Sequence, residues 1–137
     1  MNNILFVCTH NSGRSQIAEA IFNQIAKTQK LDIQARSAGT SPSESLNKNV
    51  SKVLTEIDID TSRLKPKELT AKLLEESDGV ITMGCKITLD QCLSSQITNT
   101  IDWPLPDPIG MCLDQTRKIR ETIHGMVLEL IEQNMNT

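Results

Sequence analysis

Apolar and polar positions along the chain follow two different periods, and the switches between them mark its elements. Ile4, Leu5, Phe6 and Val7 form an unbroken apolar run, which suits a strand buried on both faces of a parallel sheet. After a polar stretch from Cys8 to Arg14, Ile17, Ile21, Phe22 and Ile25 recur at helical spacing, with Gln16, Glu19, Asn23 and Gln24 on the opposite side. Leu31, Ile33 and Ala35 then alternate with Asp32, Gln34 and Arg36, predicting a half-exposed second strand that ends at Ser37 and fits a sheet edge. Ser41, Pro42 and Ser43 punctuate a loop, and Leu46, Val50, Val53, Leu54 and Ile57 line one face of a second helix. Thr70 can cap a short helix that carries Leu73 and Leu74 inward, with Pro66 in the loop before it. Val80, Ile81, Thr82 and Met83 read as a third buried strand, and Thr100 and Ile101 as a short fourth. Ile119, Ile123, Met126, Val127 and Leu130 predict a long closing helix, with Gly125 a mild internal weakness.

Repeated alternation of strand and helix predicts an α/β fold with right-handed crossovers: a doubly wound, three-layer parallel sheet flanked by helices on both faces. The 137 residues suffice for one domain with a real core, spanning 1–137. Sequence contains no repeat and no low-complexity segment.

Charge narrows the partners. The net charge is −3 and Lys and Arg are dispersed, which gives no basic stripe for nucleic acid. The beginning of the chain lacks the charged, apolar and small-residue pattern of a signal peptide, and no apolar run approaches a bilayer-spanning length. The expectation is a cytoplasmic protein with no membrane partner. Cys8, Cys85, Cys92 and Cys112 contain no Cys-x-x-Cys pair, so zinc is disfavoured, no metal is expected, and reactive or buried thiols are the reading for a reducing compartment.

The chemistry falls on the stretch from Cys8 to Arg14. A loop between a strand and a helix faces the unpaired N–H groups and positive dipole end of that helix, which makes an anion site. Cys8 stands at its mouth, and Arg14 can lay a bidentate guanidinium fork over the same anion. The field favours thiolate over thiol and so makes Cys8 a nucleophile, while Ser15 and Thr9 could donate hydrogen bonds to its sulfur. Cysteine at a strand end is also a common small buried hydrophobe, and the Cys and Arg spacing alone is weak. The preceding strand, the small residues Asn11, Ser12 and Gly13, and the following helix favour catalysis. Thr9, His10, Asn11, Ser12, Gly13, Arg14 and Ser15 together form the expected oxyanion cradle. Asp107 before Pro108 could serve as a general acid from a loop after the fourth strand, although aspartate before proline is a common turn. Cys85, just after the third strand, should open on the same sheet edge as Cys8. Cys85 and Cys92, with six residues between them, could meet across a loop or frayed helix, or be buried hydrophobes. Cys112 reads as a core or surface thiol, His10 as a loop side chain that could influence Cys8, and His124 as structural.

The segment F-V-C-T-H-N-S-G-R-S-Q-I-A-E-A resembles the active-site loop of arsenate reductases built on the low-molecular-weight tyrosine phosphatase fold. R-S-A-G-T from Arg36, I-D-I-D-T-S from Ile57, P-K-E-L-T from Pro66, I-T-M-G-C from Ile81 and D-W-P-L-P-D-P from Asp102 resemble the same family in order, over almost the whole chain. The resemblance implies four parallel strands in the order 2-1-3-4 and a general acid at Asp107. It further implies arsenate reduction in which Cys8 attacks arsenic, Cys85 takes the sulfur of Cys8 and Cys92 resolves the resulting disulfide for thioredoxin or another thiol, in a monomer that needs no dissociable cofactor. Leu93 departs from the proline that often follows the second of those cysteines. Some relatives bind potassium near residues matching Asn11 and Glu19. The alternative is a phosphatase forming a Cys8 phosphoenzyme. Against it, the chain has no Tyr, and Ile109 and Gly110 stand where such phosphatases usually carry the tyrosines of an aryl pocket. A third reading, an oxyanion-binding protein without catalysis, is opposed by the presence of Cys8, Arg14 and Asp107.

Overall fold

The apolar run near the start of the chain becomes the central strand of a four-stranded sheet. The structure, a computed structural model, describes residues 2–84 and 100–135. Its elements are β1 (Asn3–Cys8), α1 (Arg14–Thr28), β2 (Gln34–Gly39), α2 (Lys48–Thr55), α3 (Ala71–Glu75), β3 (Gly79–Thr82), β4 (Thr100–Asp102) and α4 (Leu113–Met135). The strand order is β2-β1-β3-β4 and every pairing is parallel, as the resemblance implied. Register runs from Asn3 opposite Gln34 to Cys8 opposite Gly39 on one side of β1, and from Ile4 opposite Gly79 to Val7 opposite Thr82 on the other.

Both faces of β1 are buried, which explains why its sequence does not alternate. Ile4, Phe6 and Cys8 join a core with Ile17, Ile21 and Phe22 of α1, Val50 and Leu54 of α2, and Ile119, Ile123 and Val127 of α4. Leu5 and Val7 look the other way, into a smaller cluster with Ala38, Leu69, Leu74 and Val80. Phe6 lies edge-on to Phe22 at 6.1 Å between ring centroids and tilted against Trp103 at 5.6 Å. Thr70 caps α3 as expected, its hydroxyl accepting from Leu73 N at 3.2 Å.

Two expectations are corrected. β2 starts three residues later than the alternation suggested and continues to Gly39. Leu31 N donates to Ala26 O at 2.8 Å and Lys30 has φ +56°, so this stretch closes the end of α1 in a left-handed turn before the strand begins. Gln16 and Glu19, assigned to a polar side of α1, are buried. The first half of α1 has no solvent face, because the loop after α2 covers it: Gln16 Nε2 donates to Lys65 O at 2.8 Å, and Lys67 Nζ stands 3.7 Å from Glu19 Oε1.

An ion cluster ties α2 to α4. Arg120, largely buried, donates through Nη1 to Val53 O at 2.8 Å, an end carbonyl of α2, and to Glu56 Oε1 at 2.7 Å. Arg117 adds bonds from Nε and Nη2 to Glu56. The Arg117 hydrogen bonds chiefly, helped by Arg120, hold the Glu56 carboxyl down from 4.5 to about 2. A carboxylate whose folded pKa is depressed contributes stability above its unfolded pKa and loses it as pH falls through the folded one. Glu56→Gln is therefore expected to lower Tm most at pH above 4.5, with the difference from the parent shrinking toward pH 2. Thermal melts of both proteins across that range check this, and a difference independent of pH would contradict it.

Candidate active site

The anion loop fills the turn between β1 and α1. Its geometry follows from where its carbonyls go. Cys8 O accepts from Thr40 N at 3.2 Å, Thr9 O from Ser41 N at 2.8 Å, His10 O from Ser43 N at 3.0 Å and Ser12 O from Asn47 N at 3.0 Å. Gln16 Nε2 donates to Asn11 O at 3.0 Å, and Gly13 O accepts from Ile17 N at 2.9 Å, the first bond of α1. All six carbonyls are thus occupied behind the loop. In a trans peptide the C=O of one residue and the N–H of the next point in opposite directions, so the N–H groups from Thr9 to Arg14 turn toward the inside.

Asn11 is the pivot. Its φ of +50° lies in the left-handed region, which asparagine adopts at less cost than most residues. Its Oδ1 accepts from Lys67 N at 2.8 Å and Gln16 Nε2 at 3.1 Å, which orients the amide so that Nδ2 donates to Ser15 Oγ at 2.7 Å. Ser15 Oγ is hydrogen-bonded to Cys8 Sγ, 2.8 Å away. Asn11 N reaches the same sulfur at 3.3 Å. Ser15 Oγ and Asn11 N together fix the position of the buried sulfur. Among the described residues Thr9 is not a partner of that sulfur, and the His10 ring bonds through Nδ1 to Ser41 O at 3.3 Å.

Arg14 crosses from the start of α1 to the loop that follows β4. Nη1 donates to Leu105 O at 3.0 Å, Nη2 lies 3.6 Å from Asp107 Oδ2, and the side chain is 7% exposed. Its Nε is buried with no partner among the described residues, a donor that an oxyanion would satisfy. Gly84, just after β3, borders the guanidinium. At φ +78° it adopts a conformation that side chains rarely take, and a Cβ there would stand 2.9 Å from Arg14 Nη1. Asp107 is partly exposed beside the anion loop, with Oδ1 accepting from Ile109 N at 3.0 Å.

Cys8, Arg14, Ser15 and Asp107 thus come together. Cys112 is exposed just before α4. Cys85 and Cys92 lie outside the described residues. Glu19 and Asn11 both meet Lys67: burial pushes the Glu19 carboxyl up, and the Lys67 ammonium opposes that shift. Sequence reasoning missed Gln16, Asn47 and the 40–47 segment. The cap made by Asn47, which accepts from Asn49 N and Val50 N, was legible as asparagine before a helix. Its N–H bond to the anion loop had no sequence signal.

Comparison with known proteins gives a consistent picture. The family described as low molecular weight phosphotyrosine protein phosphatase matches residues 3–136. An arsenate reductase of Bacillus cereus is 31% identical over 88% of this chain and 87% of its own length. The crystal structure of a low molecular weight protein tyrosine phosphatase from T. tengcongensis superposes with a TM-score of 0.84 at 31% identity, covering 97% of this chain and 99% of that one. A thioredoxin-dependent arsenate reductase of Corynebacterium glutamicum gives 0.77 at 31% identity, covering 100% of this chain and 64% of that one.

Proposed function

Because the chain belongs to the low molecular weight phosphotyrosine protein phosphatase family, and its relatives include proteins named arsenate reductase, we propose that it reduces arsenate to arsenite with electrons from thioredoxin or another thiol. The observation that carries this reading is the inward-facing set of loop N–H groups beside Cys8, together with an Arg14 Nε that is buried and without a partner among the described residues. The choice of arsenic rests on relatives named arsenate reductase and on the absence of tyrosine after Asp107 and Pro108.

Cys8 thiolate attacks arsenic while Arg14 and the loop N–H groups hold the oxyanion and Asp107 protonates the departing oxygen, which leaves as water. A Cys8–arsenic bond results. Cys85 thiolate then attacks Cys8 Sγ, the sulfur–arsenic bond breaks, and its electron pair reduces arsenic to arsenite as the Cys8–Cys85 disulfide forms. Cys92 attacks Cys85, frees Cys8 and leaves Cys85–Cys92 for the external thiol. A thioredoxin-coupled arsenate assay run beside aryl-phosphate hydrolysis tests the assignment. Sustained arsenate turnover is expected, and phosphate ester hydrolysis without it would favour the phosphatase reading, for which the solved tyrosine phosphatase of the same fold speaks.

Cys92→Ser is expected to release arsenite once and then stall as Cys8–Cys85. Peptide mapping after arsenate exposure should find Cys85 joined to Cys92 in the parent and to Cys8 in the variant. Full multiple turnover by the variant would remove the relay.

A further inference from the structure

The acid loop rests on the anion loop through two adjacent residues. Arg14 supplies the polar contacts, Nη1 to Leu105 O and Nη2 toward Asp107. Its neighbour Gly13 supplies a steric one: a Cβ built there would stand 2.4 Å from Pro108 Cγ and 3.0 Å from Cδ, but 3.8 Å from Cβ. Gly13 and Pro108 are both buried. The proline ring is thus seated directly on the loop backbone, in space that any side chain at position 13 would fill. Pro108 is fixed from its far side too, its carbonyl accepting from Met111 N at 3.0 Å.

We infer that Gly13 is a positioning residue whose bare backbone seats Pro108 and thereby holds Asp107 at the reacting oxyanion. The inference rests on the reading of Asp107 as the general acid. A bound oxyanion competes with Asp107 for the Arg14 guanidinium, which weakens the ionic contact at the moment the acid is needed. The Gly13–Pro108 contact carries no charge and does not change when the anion arrives. Proline is a stiff neighbour for this purpose, since its ring fixes the backbone one bond from Asp107. A one-ångström displacement of a positioned group is enough to cost on the order of 10²-fold in rate.

The test compares Gly13→Ala, Pro108→Ala and the double variant with the parent. The readouts are the rate of single-turnover arsenite release and calorimetric affinity for inorganic phosphate. Gly13→Ala should slow release by roughly a hundredfold, the cost of an ångström-scale misplacement of a reacting group, and keep the parent's phosphate affinity. Pro108→Ala removes the colliding atoms, so the double variant should match Pro108→Ala alone. Should Gly13→Ala not fold, the double variant still decides, because the inference requires it to fold and to behave as Pro108→Ala. Equal penalties for Gly13→Ala in both backgrounds, or loss of phosphate affinity parallel to the rate, would overturn the inference by placing the damage in the anion loop itself. Asp107→Asn, run alongside, separates the two claims: if it releases arsenite at the parent's rate, the acid assignment fails, and the Gly13 inference falls with it.

Discussion

Cys8→Ser is expected to abolish arsenate reduction and any aryl-phosphate hydrolysis together, by on the order of 10⁴-fold or more, as when an enzyme loses its nucleophile. The reason lies in what surrounds the sulfur. Ser15 Oγ and Asn11 N converge on it at 2.8 and 3.3 Å, and the loop N–H groups face the same space. A serine hydroxyl has no accessible anion at neutral pH, and a cysteine sulfur is intrinsically the stronger nucleophile. Binding should survive, because the cradle is built from backbone and Arg14. Inorganic phosphate should therefore still protect Cys8→Ser against thermal unfolding. Retention of more than a few per cent of either activity would show that the nucleophile is elsewhere.

The second large effect is expected for Arg14→Lys. A lysine keeps the charge but gives up the planar fork, and with it the buried Nε that has no partner among the described residues. Loss of one preorganised donor to a developing oxyanion typically costs about 10²–10³-fold in rate. Thermal shift supplies an independent measure, since a ligand present at about a hundred times its Kd stabilises the folded state by about 2.7 kcal/mol. Phosphate and arsenate should each raise the Tm of the parent, compete with one another, and raise that of Arg14→Lys much less. An unchanged shift in the variant would place the anion away from Arg14.

Most of the framework could be read from hydrophobic spacing. The buried run from Ile4 to Val7, the helical face of Ile17, Ile21 and Phe22, and the Thr70 cap all stand where their patterns put them, because each is decided within a few residues. The errors lie where distant segments decide. Gln16 and Glu19 look like solvent-facing positions until residues 65–67 arrive to cover them. Leu31 and Ile33 alternate as a strand would, yet the closing turn of α1 claims that stretch first. At the site, Cys8 and Arg14 were legible as residue types in a loop context, whereas Asp107 before a proline reads as a turn and became a candidate acid only through the family resemblance. The steric fit of Gly13 to Pro108, 95 residues apart in the sequence, was not.

The outward-turned carbonyls of the anion loop have a bearing on how this site tolerates change. Four of the six are held by the backbone N–H groups of Thr40, Ser41, Ser43 and Asn47, and a backbone donor is the same in every residue except proline. Substitution along residues 40–47 should thus leave the loop intact, so long as proline is kept from those four donor positions. The length of the segment has no such freedom. Removing or adding one residue between Thr40 and Asn47 would put the donors out of step with the carbonyls they hold. The catalytic loop is buttressed by a stretch whose spelling can drift while its residue count cannot.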